Sequence, residues 1–130
     1  HLSDLDKVVA EVRRILKPNG LIYIVTPFMV GIHSSPNDYR RWTTEGMKEL
    51  WKDFSPEELG VAFGPTSAMT TLIMEWLAML LSFGIKILYQ LWLLFFMVLL
   101  IPINWLDFIL SRYKFSSNNA MALYFIGRKR

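Results

Sequence analysis

The chain has 130 residues, carries a formal net charge of +3 and contains no cysteine. That length suffices for one small domain with a core of its own, and the missing thiols exclude disulfides and thiolate metal sites. The basic residues are scattered, clustering only at Arg128-Lys129-Arg130, so no nucleic-acid partner is implied. The N-terminus is polar and charged, unlike a signal peptide, and a start at His1 inside a helix leader reads as a fragment of something longer.

Ser3 is a candidate N-cap, with Asp4 and Asp6 in the first turn, where the helix dipole favours anions. Leu5, Val8, Val9, Val12, Ile15 and Leu16 recur at spacings of three and four, which predicts an amphipathic helix with one buried stripe. Pro18 ends it, and Asn19-Gly20 supplies residues that tolerate a left-handed turn. Residues 21–25 (LIYIV) have no polar alternation, so they read as a strand covered by helices on both faces, as in a parallel α/β sheet. A polar loop, GIHSSPNDYRRWT, follows at the strand's carboxyl end, where open α/β sheets place their ligands. Thr43 or Thr44 caps the next helix, with Met47, Leu50, Trp51 and Phe54 as its stripe, and Ser55-Pro56 breaks it. Residues 59–63 (LGVAF) predict a second strand, although Glu57-Glu58 can also open a helical turn.

The character then changes. Between residues 68 and 110 only Glu75, Lys86 and Asp107 are charged, and residues 87–106 form an uncharged run of 20, the length of a membrane span. Three helices are expected, at about 66–83, 87–101 and 104–113, with breaks near Gly84 and at Pro102. A turn at SSNN (116–119) leads to a last strand, AMALYFIG (120–127).

The order of these elements resembles the C-terminal half of class I S-adenosylmethionine-dependent methyltransferases, of the type 11 kind. The likeness rests on His1-Leu2 as the remnant of an E-H-L segment, on LKPNG (16–20) against L-K-P-G-G, on the loop residues His33, Pro36, Asp38, Tyr39, Arg41 and Thr43 against P-F…H…P-x-D-Y-x-R-x-T, and on the closing FIGRK. It implies an α/β fold: the C-terminal part of a Rossmann-like methyltransferase sheet, with two parallel strands, a final antiparallel strand and an inserted hydrophobic helical segment. Residues 1–65 and 115–130 would form the core half, and 66–114 the insertion. The family's glycine-rich loop and ribose-binding acid have no counterpart in these residues, so the resemblance implies that the S-adenosylmethionine pocket is completed upstream of His1 and that this half alone is inactive.

Methyl transfer is an in-line displacement that often needs a base for the acceptor's proton. His33 is the candidate base, because imidazole titrates near neutrality; the alternative is a loop histidine bonded to the backbone. Asp38, Tyr39 and Arg41 are candidate substrate-binding residues, Arg41 through a forked contact to phosphate or carboxylate. An internal Asp38–Arg41 pair that stiffens the loop is the alternative. The resemblance gives His1 a cofactor contact, and Trp42 reads as a packing anchor. No spacing of His, Asp and Glu suggests a metal site.

In the resembled fold the last two strands are antiparallel neighbours, and the hydrophobic block lies between them in sequence. The block must therefore leave and return on one side of any bilayer, as a re-entrant or interfacial hairpin or as a lid. Helices of about 15 residues reach roughly 22 Å, short of a ~30 Å hydrocarbon core, which favours the re-entrant form. Trp76, Trp92, Trp105 and Tyr113 suit the headgroup level, and Arg112 and Lys114 suit anionic lipid. The expected function is methylation of a membrane-proximal or lipid-linked acceptor, such as a glycan or isoprenoid intermediate, at the cytoplasmic membrane surface. The competing expectation is a non-catalytic, membrane-attached interaction module on a degenerate α/β scaffold.

Overall fold

The structure is a computed structural model that describes residues 4–32 and 37–130. Helix α1 (Leu5–Ile15) is capped by Asp4, whose carboxylate accepts the Lys7 backbone N–H at 3.3 Å. The Ser3 cap expected from sequence lies outside the described residues. The stripe is only partly covered: Val9, Val12 and Leu16 lean on the core, while Ile15 stays 62% exposed. The chain then reverses through Asn19 at φ 60°, with the Gly20 N–H on the Lys17 carbonyl at 2.8 Å.

Strand β1 (Leu21–Pro27) runs two residues past its expected end. The expectation that helices cover both its faces is overturned. Ile22 and Thr26 are buried on one side, whereas Leu21, Tyr23 and Val25 are exposed on the other. An unbroken apolar run marks a strand but does not say how many faces are covered. Helix α2 (Thr44–Leu50) is capped by Thr43, whose hydroxyl accepts the Gly46 N–H at 3.1 Å. It drives Met47, Leu50 and Trp51 into the same side of the sheet as α1.

Strand β2 (Phe54–Phe63) begins five residues before the expected 59. Pro56 does not separate two elements; it lies within the strand, beside a register irregularity between Pro56 and Glu58. Proline is tolerated there because β2 is an edge strand and the irregularity spares its missing N–H. Strand β3 (Ala122–Lys129) sits between the other two in the order β1-β3-β2 and pairs antiparallel with each. The strands β1 and β2 therefore point the same way without touching, and the parallel pairing expected around residues 21–25 does not form. The fold is mixed α/β, on a three-stranded sheet whose pairings are all antiparallel.

The register brings Ile24, Phe125 and Leu59 into one row across the sheet, and Thr26, Leu123 and Val61 into the next. These rows face Met47, Trp51 and Phe54, and together they make the core. Trp51 meets Phe54 edge to face at 5.5 Å.

Between β2 and β3 lies the hydrophobic block. Helix α3 (Pro65–Leu81) and helix α4 (Lys86–Leu100) pack on each other as a hairpin. They are joined by a tight turn in which Phe83 and Gly84 take φ of 50° and 79°. The second helix ends at Leu100, next to the stop expected at Pro102. The chain tightens into a 3₁₀ stretch (Ile101–Leu106), where proline at the first positions sacrifices no needed N–H, and runs on into α5 (Asp107–Leu110). A second 3₁₀ turn (Lys114–Asn118) leads back to β3. The return is close: the Met121 N–H donates to the Phe63 carbonyl at 3.0 Å and to that of Gly64 at 3.3 Å.

Phe54 is 1% exposed and Ile15 62% exposed, so truncation should separate them. Phe54→Ala should cost about 3–5 kcal/mol, and Ile15→Ala within about 0.5 kcal/mol. Urea unfolding in mild detergent, followed by tryptophan fluorescence, checks both.

Candidate functional site

The carboxyl end of β1 is held beside the start of the hairpin. The Phe28 and Met29 N–H groups donate to the Met121 and Ala120 carbonyls at 2.9 and 3.1 Å, and the Trp42 N–H donates to Pro27 at 3.0 Å. Between these anchors Arg41 gathers the loop. Its Nη1 and Nη2 donate to the two Asp38 carboxylate oxygens at 2.5 and 2.7 Å, Nη2 also to the Gly31 carbonyl at 2.8 Å, and Nε to that of Val30 at 3.1 Å. The Asp38 side chain is only 6% exposed. The hydrogen bonds that Arg41 donates to Asp38 hold the guanidinium pKa above its ordinary value, against the opposing effect of burial. The forked contact foreseen for a ligand is thus made inside the chain, and it ties residues 30–31 to 38–41.

Tyr39 is half-exposed, and with Asp38, Arg40 and Trp42 it walls a cleft of about 580 Å³ that reaches Leu5 and Val8 of α1 and Thr26 and Pro27 of β1. Trp42 packs partly buried against the core, as an anchor. The structure brings Asp38, Tyr39 and Arg41 together; His33 and His1 lie outside the described residues. Among the described residues no group of three His, Asp or Glu side chains is arranged to hold a metal ion.

Helix α3 passes directly over this loop. A methyl group on Gly31 would come within 2.8 Å of the Glu75 carboxylate, the far end of a flexible side chain that could swing aside. The helix begins at Gly64 with no side-chain cap of its own. Asp107, some forty positions later, supplies one: its Oδ1 accepts the Thr66 N–H at 2.8 Å, and its Oδ2 accepts the Ser67 N–H at 2.9 Å and the Ser67 hydroxyl at 2.7 Å. Burial disfavours the Asp107 charge, but the hydrogen bonds from Ser67 and Thr66 outweigh it and hold the carboxyl below its ordinary value. Any side chain at position 64 would collide with that carboxylate, since a Cβ there lies 2.3 Å from Asp107 Cγ. One turn further on, the Thr70 hydroxyl donates to the Asn104 side-chain oxygen at 2.7 Å. Sequence reasoning missed this long-range cap; the available signal was a polar Asn and a lone Asp within an otherwise apolar run.

Above this base the hairpin is bare. Trp76, Met79, Leu80, Phe83, Leu91, Leu94, Val98, Trp105 and Phe108 are all more than half exposed. The helical run Lys86–Leu110 is long and apolar enough to cross a membrane, and only 6% of it is buried, which separates it from the core helix of a soluble domain. Comparison with protein-family models, curated proteins and solved structures gives no match for this chain.

The Asp107 cap carries a pH signature. Its contribution is full above the ordinary carboxylate range and is lost as pH falls from about 4 through the lowered folded-state value. Asp107→Asn should cost about 1–2 kcal/mol at pH 7. The gap between wild type and variant should close towards pH 2, as measured by denaturant unfolding across that range.

Proposed function

We propose that the chain is the acceptor-binding, membrane-attached half of an S-adenosylmethionine-dependent methyltransferase that acts at the cytoplasmic face of a membrane. The observation that carries this reading is the rim they share: the apolar hairpin leaves and rejoins the sheet at Phe63 and Met121, beside the loop that follows β1. The antiparallel pairing of β2 with β3 supports the likeness drawn from LKPNG, the His33 loop and FIGRK, because the resembled sheet ends in two such neighbours. The Rossmann-like parallel part of that sheet belongs to the proposal alone.

The described residues do not fit the cofactor. Neither of these two cavities has a glycine-rich backbone cradle or a free carboxylate for a ribose: no glycine lines them, and Asp38, in the cleft wall, is engaged by Arg41. On this reading S-adenosylmethionine is held by residues beyond this sequence. What this chain supplies is the acceptor side. Tyr39 presents a hydroxyl to the cleft, the Asp38–Arg41 clasp sets the loop's shape, and His33 takes the acceptor's proton.

The hairpin enters the bilayer from one side and returns. Helix α3, of 17 residues, reaches roughly 25 Å at ~1.5 Å per residue, short of a ~30 Å hydrocarbon layer. The run Lys86–Leu110 is long enough to cross, but the block's two ends meet at Phe63 and Met121, so the entry and the return share one side. A second reading, the non-catalytic membrane-attached module, is favoured by one observation: Arg41 and Asp38 satisfy each other.

Two experiments test these statements. The cysteine-free chain allows single-cysteine labelling in proteoliposomes with a membrane-impermeant maleimide. Ser55→Cys and Asn118→Cys should react from the same side, with Phe83→Cys protected from both; reaction of Phe83→Cys from the far side would establish a crossing instead. Separately, membranes from cells expressing the longer protein that includes the cofactor-binding residues should transfer labelled methyl from S-adenosylmethionine into the lipid-extractable fraction, and His33→Ala in that protein should reduce the transfer by about 10²-fold or more. Transfer by the longer protein equal to that of membranes without it would leave the interaction module.

A further inference from the structure

A second cavity, of about 430 Å³, opens at the foot of the hairpin. Its walls are Met29 from the segment after β1, Ala68, Met69 and Leu72 from α3, and Leu110 and Phe115 from the returning chain. We propose that this cavity takes one apolar chain, acyl or isoprenoid, of a membrane amphiphile whose head lies at the sheet rim. The inference rests on the membrane reading above and adds the class of ligand and its place.

Three observations carry it. The lining is almost entirely hydrocarbon and thioether, and the volume lies within the ~300–1,000 Å³ usual for small-molecule sites. Met29 and Met69 give it adaptable walls, which suit a flexible chain better than a rigid ring. Met69 and Leu72 line the cavity and are still 55% and 41% exposed, so the cavity opens to the surface along α3. On the membrane reading a chain enters there sideways from the lipid.

The sheet-side end is different. Thr66, 4% exposed, has a buried hydroxyl with no hydrogen-bond partner among the described residues, although its N–H is held by Asp107. Asn119 and Ser116 stand in the same wall. The Ser116 hydroxyl is spent on the Ser111 carbonyl at 3.1 Å, so the exposed Asn119 amide is what a polar head meets, while its tail stays among Met69 and Leu72. The head then rests against Met29, whose N–H is fixed to Ala120 and whose segment leads into the His33 loop. The fatty or isoprenoid tail is what anchors the acceptor beside Met29, at the sheet rim.

The test uses the chain in phosphatidylcholine vesicles doped with either a diazirine-bearing fatty acid or a diazirine-bearing isoprenyl alcohol, photolysed and mapped by mass spectrometry. Met29, on the inner wall, should be labelled more heavily than Leu91 or Val98 on α4. Met69→Trp and, separately, Leu72→Trp fill the cavity from positions with room outside. Each should cut Met29 labelling by roughly tenfold, since a blocked pocket forfeits most of the contact that holds a small ligand. Vesicle cosedimentation and α4 labelling should not change. The chain that labels Met29 more strongly names the ligand class. Met29 labelling that both tryptophans leave unchanged would overturn the cavity's role while the hairpin still binds lipid. Failure of the wild-type chain to cosediment at all would overturn the membrane reading, and this inference with it.

Discussion

A backbone hydrogen bond between Met121 and Phe63 closes the largest excursion in the chain, and the architecture follows from that closure. Because β3 pairs with β2 along its length, whatever lies between them must form a loop with both ends at one rim. An apolar sequence under that constraint has two ways to hide from water: to fold down over the domain or to leave the aqueous phase. The core is already filled from one side by α1 and α2, and the hairpin stands off with its aromatic residues uncovered. The second route is the one its geometry serves.

The foot of the hairpin is secured by polar chemistry at the point where the surroundings become apolar. Asp107 satisfies the amides that open α3, and Asn104 meets Thr70, so the ends of the excursion are joined to each other as well as to the sheet. Gly64 makes room for this arrangement, so a glycine with no side chain to contribute sets how closely the start of α3 and Asp107 approach. The Arg41 clasp does the equivalent work within the loop, trading a ligand-ready fork for a fixed shape.

Much of the framework was legible before any coordinates. The periodic stripe of α1, the stop at Pro18, the Thr43 cap and the inward set Met47–Trp51–Phe54 each follow from local rules that tertiary packing did not override. The adjacency of the last two strands came from family likeness and appears in the register. What escaped is what local pattern does not encode. An apolar strand looks alike whether one or both faces are covered, so the open side at Leu21, Tyr23 and Val25 went unseen. Pro56 signals a break, but an edge strand with a bulge absorbs it. Pro102 ends α4 as its chemistry dictates, but the 3₁₀ stretch that follows has no local signal of its own. Asp107 acts across forty positions, beyond any window in which capping is sought. Of the site, Asp38, Tyr39 and Arg41 were found as a group, but the inward use of the Asp–Arg fork depends on where the Val30 and Gly31 carbonyls lie.

The middle strand of the sheet is also the last to leave the ribosome. Until Ala122–Lys129 emerges, the ladders it makes with Leu21–Pro27 and Phe54–Phe63 are missing, and the core rows through Leu123 and Phe125 do not exist. The hairpin, made wholly from contiguous sequence, can form well before then. Translation thus imposes an order in which the apolar hairpin is complete before the sheet that both its ends join. A nascent chain truncated short of the final strand would hold the exposed hairpin without the ladders that close it.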